Sequence, residues 1–472
     1  MRKQTTGKCY IALCLLVPLT MVPSQAAAPI EAKTEREAAA KAEQSADWDA
    51  ALLHYENVYD STPCTPEQYV ELRRKFAELR PKVKPNDDPA KAVVYHVRSF
   101  AFRTLQVGER KNTYNDKQLQ DVKNVDKPWA DEVWKASMGQ CRLDCKTSII
   151  DKPLTKFGGF PAPDDCTPYF DNMQPGEADH VAVYTLSQQG FACNCWGGTV
   201  GAVCKGATYS GFNDAGDGGT CGSAEIQVHE WIHALEMTLK WHQLYPDAIF
   251  PNPDAGENCG PKCWQPKPDA GGLYNWYRHI LSVHLTRKMW RELTLNRPGD
   301  GTWLALRQFC PKFATLGPFD GNGKDKNGLD TAFIDETKFS PAPGQNTGGQ
   351  TWRAADRSGL FLNLAGVYYP VERRVAYAAV IARSREARAA QVHIGAGSAC
   401  KKAWLNGKPI DTAPDWRGGK VDVQLVKGDN LFVIKVANSG AKDWSDWAVN
   451  LRLADAGDKP LDDIEYALPG GK

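Results

Sequence analysis

The stretch His229-Glu230-Trp231-Ile232-His233 places two imidazoles and a carboxylate within five residues. On a helix, residues four apart sit about 40° apart round the axis and about 6 Å along it. His229 and His233 therefore project from one face and can share one ion. Zinc takes imidazole nitrogen at about 2.0–2.1 Å, and two such histidines supply half of a tetrahedral site. Glu230, one residue round the helix, can accept a proton from an activated water and later return it.

The surrounding residues favour that helix. Ser223 is a good N-cap, and Glu225 suits the positive first turn. Ile226, Trp231, Ile232, Leu235 and Leu239 give it the apolar content of a mostly buried helix. No Gly or Pro interrupts from Ser223 to Tyr245. Gln227, Val228, Trp231, Ile232, Ala234 and Leu235 are uncharged, as a buried ionic site requires. In this context the stretch resembles the active-site helix of the zincin metallopeptidases, over roughly Ala92 to Leu295. The resemblance implies a twisted sheet over the helix, Zn2+ as cofactor, His229 and His233 as ligands, Glu230 as the catalytic carboxylate and hydrolysis of peptide bonds.

A catalytic zinc keeps three protein ligands and one open position. The metzincin pattern needs Gly three residues and His six residues after the second histidine. Glu236 and Leu239 stand there, which excludes that subgroup. A turn-rich loop, Phe250 to Gly260, can fold back over the metal. Asp254 is taken as third ligand, 21 residues after His233, by resemblance to the gluzincins and aspzincins. Glu257, 24 residues after His233, is the main alternative, with His242, His279 and Asp269 behind it. His242 points away if the helix continues that far. Glu236 shares the ligand face and can buttress a histidine. Zincins also place a Tyr or His where it stabilises an oxyanion. Tyr277 and His279 are the candidates, with core packing as the alternative.

The elements that must position these groups follow from the rest of the chain. At 472 residues the length suggests two to four domains. Apolar content of 42% and charged content of 24% are ordinary for a globular protein. A net charge of +1 leaves no basic excess for nucleic acid. Residues 1–27 read as a signal peptide: Arg2, Lys3 and Lys8 precede a short apolar core, Tyr10 to Val22, and the small residues of Ser24 to Ala28. The expectation is a secreted or periplasmic protein with no membrane span. With Cys9 and Cys14 in that leader, twelve of fourteen cysteines remain, ten of them between Cys141 and Cys310. An exported chain of this kind is expected to pair them as disulfides. A structural zinc on Cys141, Cys145, Cys259 and Cys263 is the alternative.

Residues 28–88 read as a helical hairpin, with 46–59 similar to half a tetratricopeptide repeat and a helix from Pro66 to Leu79 closed by Pro81. Pro85 to Pro89 is a linker. Residues 89–296 are the zincin-like domain. Ala92–Phe102, Cys141–Ile150 and Asp179–Leu186 read as strands, and 117–137 as a helix interrupted near Pro128. Zincins pair extended substrate with an edge strand, and Ala207–Phe212 is assigned that role, with a pinned loop as the alternative. His96 and His180 are expected to be structural. A helix is expected to run from Tyr274 to about Leu295.

Residues 297–330 read as a linker. Within it, Asp320 to Asp330 resembles a calcium loop spoiled by Lys324. Residues 331–460 read as a β-sandwich similar to the galactose-binding-like jelly rolls, with Asn406-Gly407 as a tight hairpin turn. Trp404, Trp416, Trp444 and Trp447 are candidates for a sugar platform or for the core. The sequence thus predicts an α+β zincin-like catalytic domain between a short TPR-like helical segment and an all-β jelly roll. The expected substrate is a protein or glycoprotein, with carbohydrate as an added partner. The rival readings are a carbohydrate-binding or adhesion protein with a metal-free zincin-like domain, and a structural protein whose end modules dock partners.

Overall fold

The computed structural model describes residues 32–61, 64–186, 194–201, 203–214, 224–241, 253, 272–296, 309–357, 361–396, 401–412, 419–438 and 447–470. The predicted leader lies outside these. Among them, no helix is long and apolar enough to cross a membrane. The chain is mixed, with helices and a largely parallel sheet first and antiparallel sheets after.

Three helices open it: α1 (Ala32–Gln44), α2 (Trp48–Ser61) and α3 (Pro66–Leu79). Thr65 and Gln68 form a reciprocal capping box on α3 with Pro66 in its first turn, so local chemistry fixes that start. These helices are not a free-standing module. Leu52, Tyr59, Leu72 and Phe76 belong to the same apolar cluster as the sheet and helices that follow.

The next unit is built on β1 (Val93–Phe102), the hairpin β2 (Thr104–Val107) and β3 (Arg110–Thr113), α4 (Asp116–Ala136) and β4 (Cys141–Ile150). A short turn α5 (Pro163–Cys166), then β5 (His180–Leu186), β6 (Asn194–Val200) and β7 (Thr208–Asp214) complete it. α4 is continuous. Asn115 caps it with Gln118, and Pro128 sits inside without ending it, contrary to the expected interruption. Its buried face, Leu119, Val122, Trp129 and Val133, holds the helix against the sheet and outweighs the one hydrogen bond that proline removes.

The sheet runs β4-β1-β5-β7-β6. The first four strands are mutually parallel, and β6 pairs antiparallel to β7. Period-two alternation sends Tyr95, Val97, Ala182, Tyr184 and Phe212 to the helix side. Phe100, Phe102, Val181, Val183 and Tyr209 face a second cluster with Leu154, Phe170 and Met173. Both faces are covered, which is why β5 is buried along its whole length. The strand expected at the edge, Ala207–Phe212, is therefore interior, flanked by β5 and β6. The edge on this side of the sheet is β6, and β4 is the other.

Below the sheet lie α6 (Ala224–Trp241), α7 (Gly272–Val283) and α8 (Arg287–Glu292). The single long helix expected to Leu295 is broken between Val283 and Thr286. Thr286 caps α8 by accepting from the Met289 amide at 3.1 Å.

The C-terminal region is a two-sheet sandwich. One sheet contains β8 (Lys312–Asp320), β11 (Arg353–Asp356), β13 (Arg374–Ser384), β15 (Lys401–Leu405), β16 (Lys408–Ile410), β18 (Gly428–Ala437) and β20 (Glu465–Ala467). The other contains β12 (Leu362–Asn363), β14 (Arg388–Ala396), β17 (Lys420–Leu425) and β19 (Ala448–Ala454). Asn406 and Gly407, both at positive φ, turn β15 into β16. Val380, Val392, Ile394, Phe432, Ile434 and Leu451 fill the space between sheets.

The expected linker, 297–330, lies outside the described residues as far as 308, and from 309 on it is not a free connection. β8 lies inside it and is a full strand of the sandwich, and 329–352, with a small hairpin of β9 (Asn346–Thr347) and β10 (Gln350–Thr351), blankets the outer face. Leu329, Phe333, Phe339 and Trp352 cover Phe319, Tyr377 and Trp404 there. Gly-rich composition suggested a connection, but its scattered aromatics have an apolar surface to bury.

Candidate metal centre

Helix α6 is fixed before its polar face does anything. Val228, Trp231, Ile232, Leu235 and Leu239 have no exposed surface. Trp231 meets Tyr95 edge-on at 5.5 Å and Trp129 at 6.2 Å, and stacks on Trp290 at 6.3 Å between ring centroids. Gln227, fully buried, donates through Nε2 to the Tyr184 hydroxyl. The rotation of α6 about its axis is thereby set, and the opposite face presents His229, Glu230 and His233.

These three offer ligand atoms that all lie within 4.8 Å of one another, the one group of this kind among the described residues. The two imidazoles are half-buried, with ring centroids 4.9 Å apart and planes at 80°. That spacing suits two nitrogens converging on one cation, and the donor set of imidazole and carboxylate suits a borderline divalent metal. The group can hold a metal ion. His229 Nδ1 lies 2.7 Å from the Tyr277 hydroxyl on α7, so its other nitrogen is the one left to the site. His233 Nδ1 lies 3.9 Å from a Glu236 carboxylate oxygen, too far for a hydrogen bond but close enough to orient the ring electrostatically.

Glu230 is buried. The edge strand β6 crosses directly over it at Gly197, which has no side chain to displace its carboxylate. β6 also carries a register shift between Gly198 and Val200. A bulge at an edge re-aims the backbone beside a site.

Of the residues singled out in the sequence, His229, Glu230, His233 and Tyr277 come together here. Asp254, Glu257, His242 and Asp269 lie outside the described residues, as does the N-cap Ser223. His279 stacks on Trp276 at 5.6 Å rather than on a ligand histidine. His96 pairs with Asp144 at 2.8 Å, and His180 is buried with its Nδ1 2.8 Å from the Thr208 hydroxyl. Neither belongs to the His229, Glu230 and His233 group. Gly197 went unrecognised as part of the site. Its only sequence signal was membership of a glycine pair.

The alternative sites do not assemble among the described residues, outside which Cys259 and Cys263 lie. Cys141 and Cys145 are four residues apart on one strand, about 13 Å, and cannot share an ion. Among the described residues Cys64, Cys141, Cys145, Cys166, Cys204 and Cys310 form no disulfide, and the side chains of the other six expected partners lie outside them. Cys141, Cys166 and Cys204 sit in apolar clusters, where burial pushes each thiol up. Asp320 is taken by Arg374 at 2.9 Å, and Asp330 by Lys402 at 2.6 Å, so the calcium-like loop does not gather its acids. Trp404 and Trp447 are buried in the sandwich and form no platform, while Trp416 and Trp444 lie outside the described residues.

Compared with known proteins, the chain matches no protein-family model and no curated protein.

Proposed function

We propose that this chain is a zinc-dependent endopeptidase of the zincin type. The observation that carries the reading is the convergence of His229, Glu230 and His233 on one face of a helix whose other face is locked in the core. The antiparallel edge strand passing over Glu230 supports it, because an edge offers backbone donors and acceptors to an extended peptide.

His229 and His233 would hold a zinc ion, which when bound would supply Lewis acidity toward water and a peptide carbonyl. Asp254 is the proposed third ligand, with Glu257 as the alternative. Glu230 takes the proton of the attacking water and returns it to the departing amine. β6 holds the substrate backbone in line with that carboxylate. The leader at 1–27 makes this an exported enzyme, acting on protein or glycoprotein. The C-terminal sandwich braces the catalytic unit: Asn363 Nδ2 donates to the Gly206 carbonyl at 2.8 Å, and Lys205 lies over the Tyr369 ring at 4.6 Å.

The test is metal analysis of purified protein alongside peptide hydrolysis. One zinc per chain and chelator-sensitive cleavage are expected. Protein without stoichiometric zinc would leave the adhesion reading standing instead.

A further inference from the structure

We propose that Tyr277 is a positioning residue that fixes the tautomer of His229, an inference that rests on the metallopeptidase reading. The Tyr277 hydroxyl oxygen lies 2.7 Å from His229 Nδ1 and the two rings meet at 67° with centroids 5.4 Å apart. Tyr277 is 1% exposed, so bulk water does not compete for that contact. It projects from α7, which is tied to α4 by a forked ion pair. Arg278 donates to both carboxylate oxygens of Glu132, through Nη2 to Oε2 at 2.9 Å and through Nε to Oε1. Glu132 is buried, and a two-point clamp of this kind holds a helix in rotation as well as position.

The consequence follows from counting protons. A neutral imidazole carries one N–H. A nitrogen that ligates a cation must offer a lone pair, so the proton sits on the other. With Nδ1 facing Tyr277, the cation takes Nε2 and the proton stays on Nδ1. Nδ1–H then donates to the Tyr277 oxygen, and the Tyr277 hydroxyl proton is turned away from His229. Outer partners of ligand histidines are usually carboxylates, carbonyls or water. A buried tyrosine, reached from a second helix, performs that task here.

Two measurements test this. The first is the zinc dissociation constant of full-length wild type and Tyr277→Phe, by competition with a chromophoric chelator, with metal-free melting temperatures alongside. Phe keeps the ring packing and deletes the oxygen. Binding weaker by about 10- to 100-fold at an unchanged metal-free melting temperature is expected. Equal affinities would overturn the role of Tyr277 and leave the metallopeptidase reading intact. Failure of wild type to hold zinc would overturn both. The second measurement needs no variant: long-range 1H–15N spectra of zinc-loaded wild type. These should show His229 protonated at Nδ1, and a metal on Nδ1 would overturn the proposal.

Discussion

Gly197 of β6 lies flush against Glu230 of α6. A methyl group at 197 would fall 2.7 Å from the Glu230 carboxylate oxygen Oε2 and 2.3 Å from the Glu230 carbonyl oxygen. No real carbon sits that close, and because the nearest atoms are backbone of α6, the strand must back away from the helix and alter the packing around the carboxylate. Gly197→Ala is expected to lower turnover by about 100-fold, the cost of misplacing a catalytic group by about 1 Å. Zinc content should be unchanged, because the two histidines are on the helix and not the strand. Zinc analysis with steady-state kinetics checks both.

Glu230 and His233 are separable by chemistry though one turn apart. Glu230→Gln keeps the shape and removes the base, and should cut turnover by about 10²–10⁴-fold with zinc retained. His233→Ala should lose zinc and activity together. A Glu230→Gln variant as active as wild type would remove the catalytic carboxylate from the mechanism.

The helical segment is held to the catalytic unit by buried charge. Glu56 accepts from Arg80 at 3.2 Å and from Arg287 at 2.6 Å, and Arg80 also donates to the Leu285 carbonyl at 2.7 Å. Removing Glu56 takes away the carboxylate shared by Arg80 and Arg287 at a largely buried site, leaving Arg287 with Asp49 at 2.9 Å and Arg80 with the Leu285 carbonyl. Glu56→Ala should destabilise by about 3–5 kcal/mol. Arg383→Ala, which breaks exposed pairs with Asp429 and Glu465, should leave the midpoint almost unchanged, because water and salt screen such pairs. Urea midpoints at constant slope distinguish the two.

His180 makes stability depend on acidity. Burial lowers it from 6.5 to about 3, so the folded chain resists the proton that the unfolded chain accepts. Between those values the unfolded state binds more protons, and stability falls as pH drops. From pH 7 to pH 5 this one group should cost about 2 kcal/mol. His180→Leu should shrink the difference in unfolding free energy between those two pH values by that amount. An unchanged difference would mean that His180 is not held neutral.

The local features were legible because neighbours in sequence determine them. Pro66 with Thr65 starts α3, Asn406 and Gly407 at positive φ make a hairpin, and the spacing of His229 and His233 puts both on one helix face. Strand content in Val93–Phe102 and Cys141–Ile150 was equally plain. Pro128 misled, because the rule against proline in helices is a local cost that the buried face of α4 overrides.

Sequence alone therefore determined the chemistry available: two imidazoles and a carboxylate in register. Only the tertiary structure decided that β6 and not β7 forms the edge, that Gly197 makes room for Glu230, and that Tyr277 meets His229 across 48 residues. Strand order and helix docking are set by which apolar faces bury one another, and that choice depends on residues far apart in the chain. A spacing rule reads one element at a time and has no access to it.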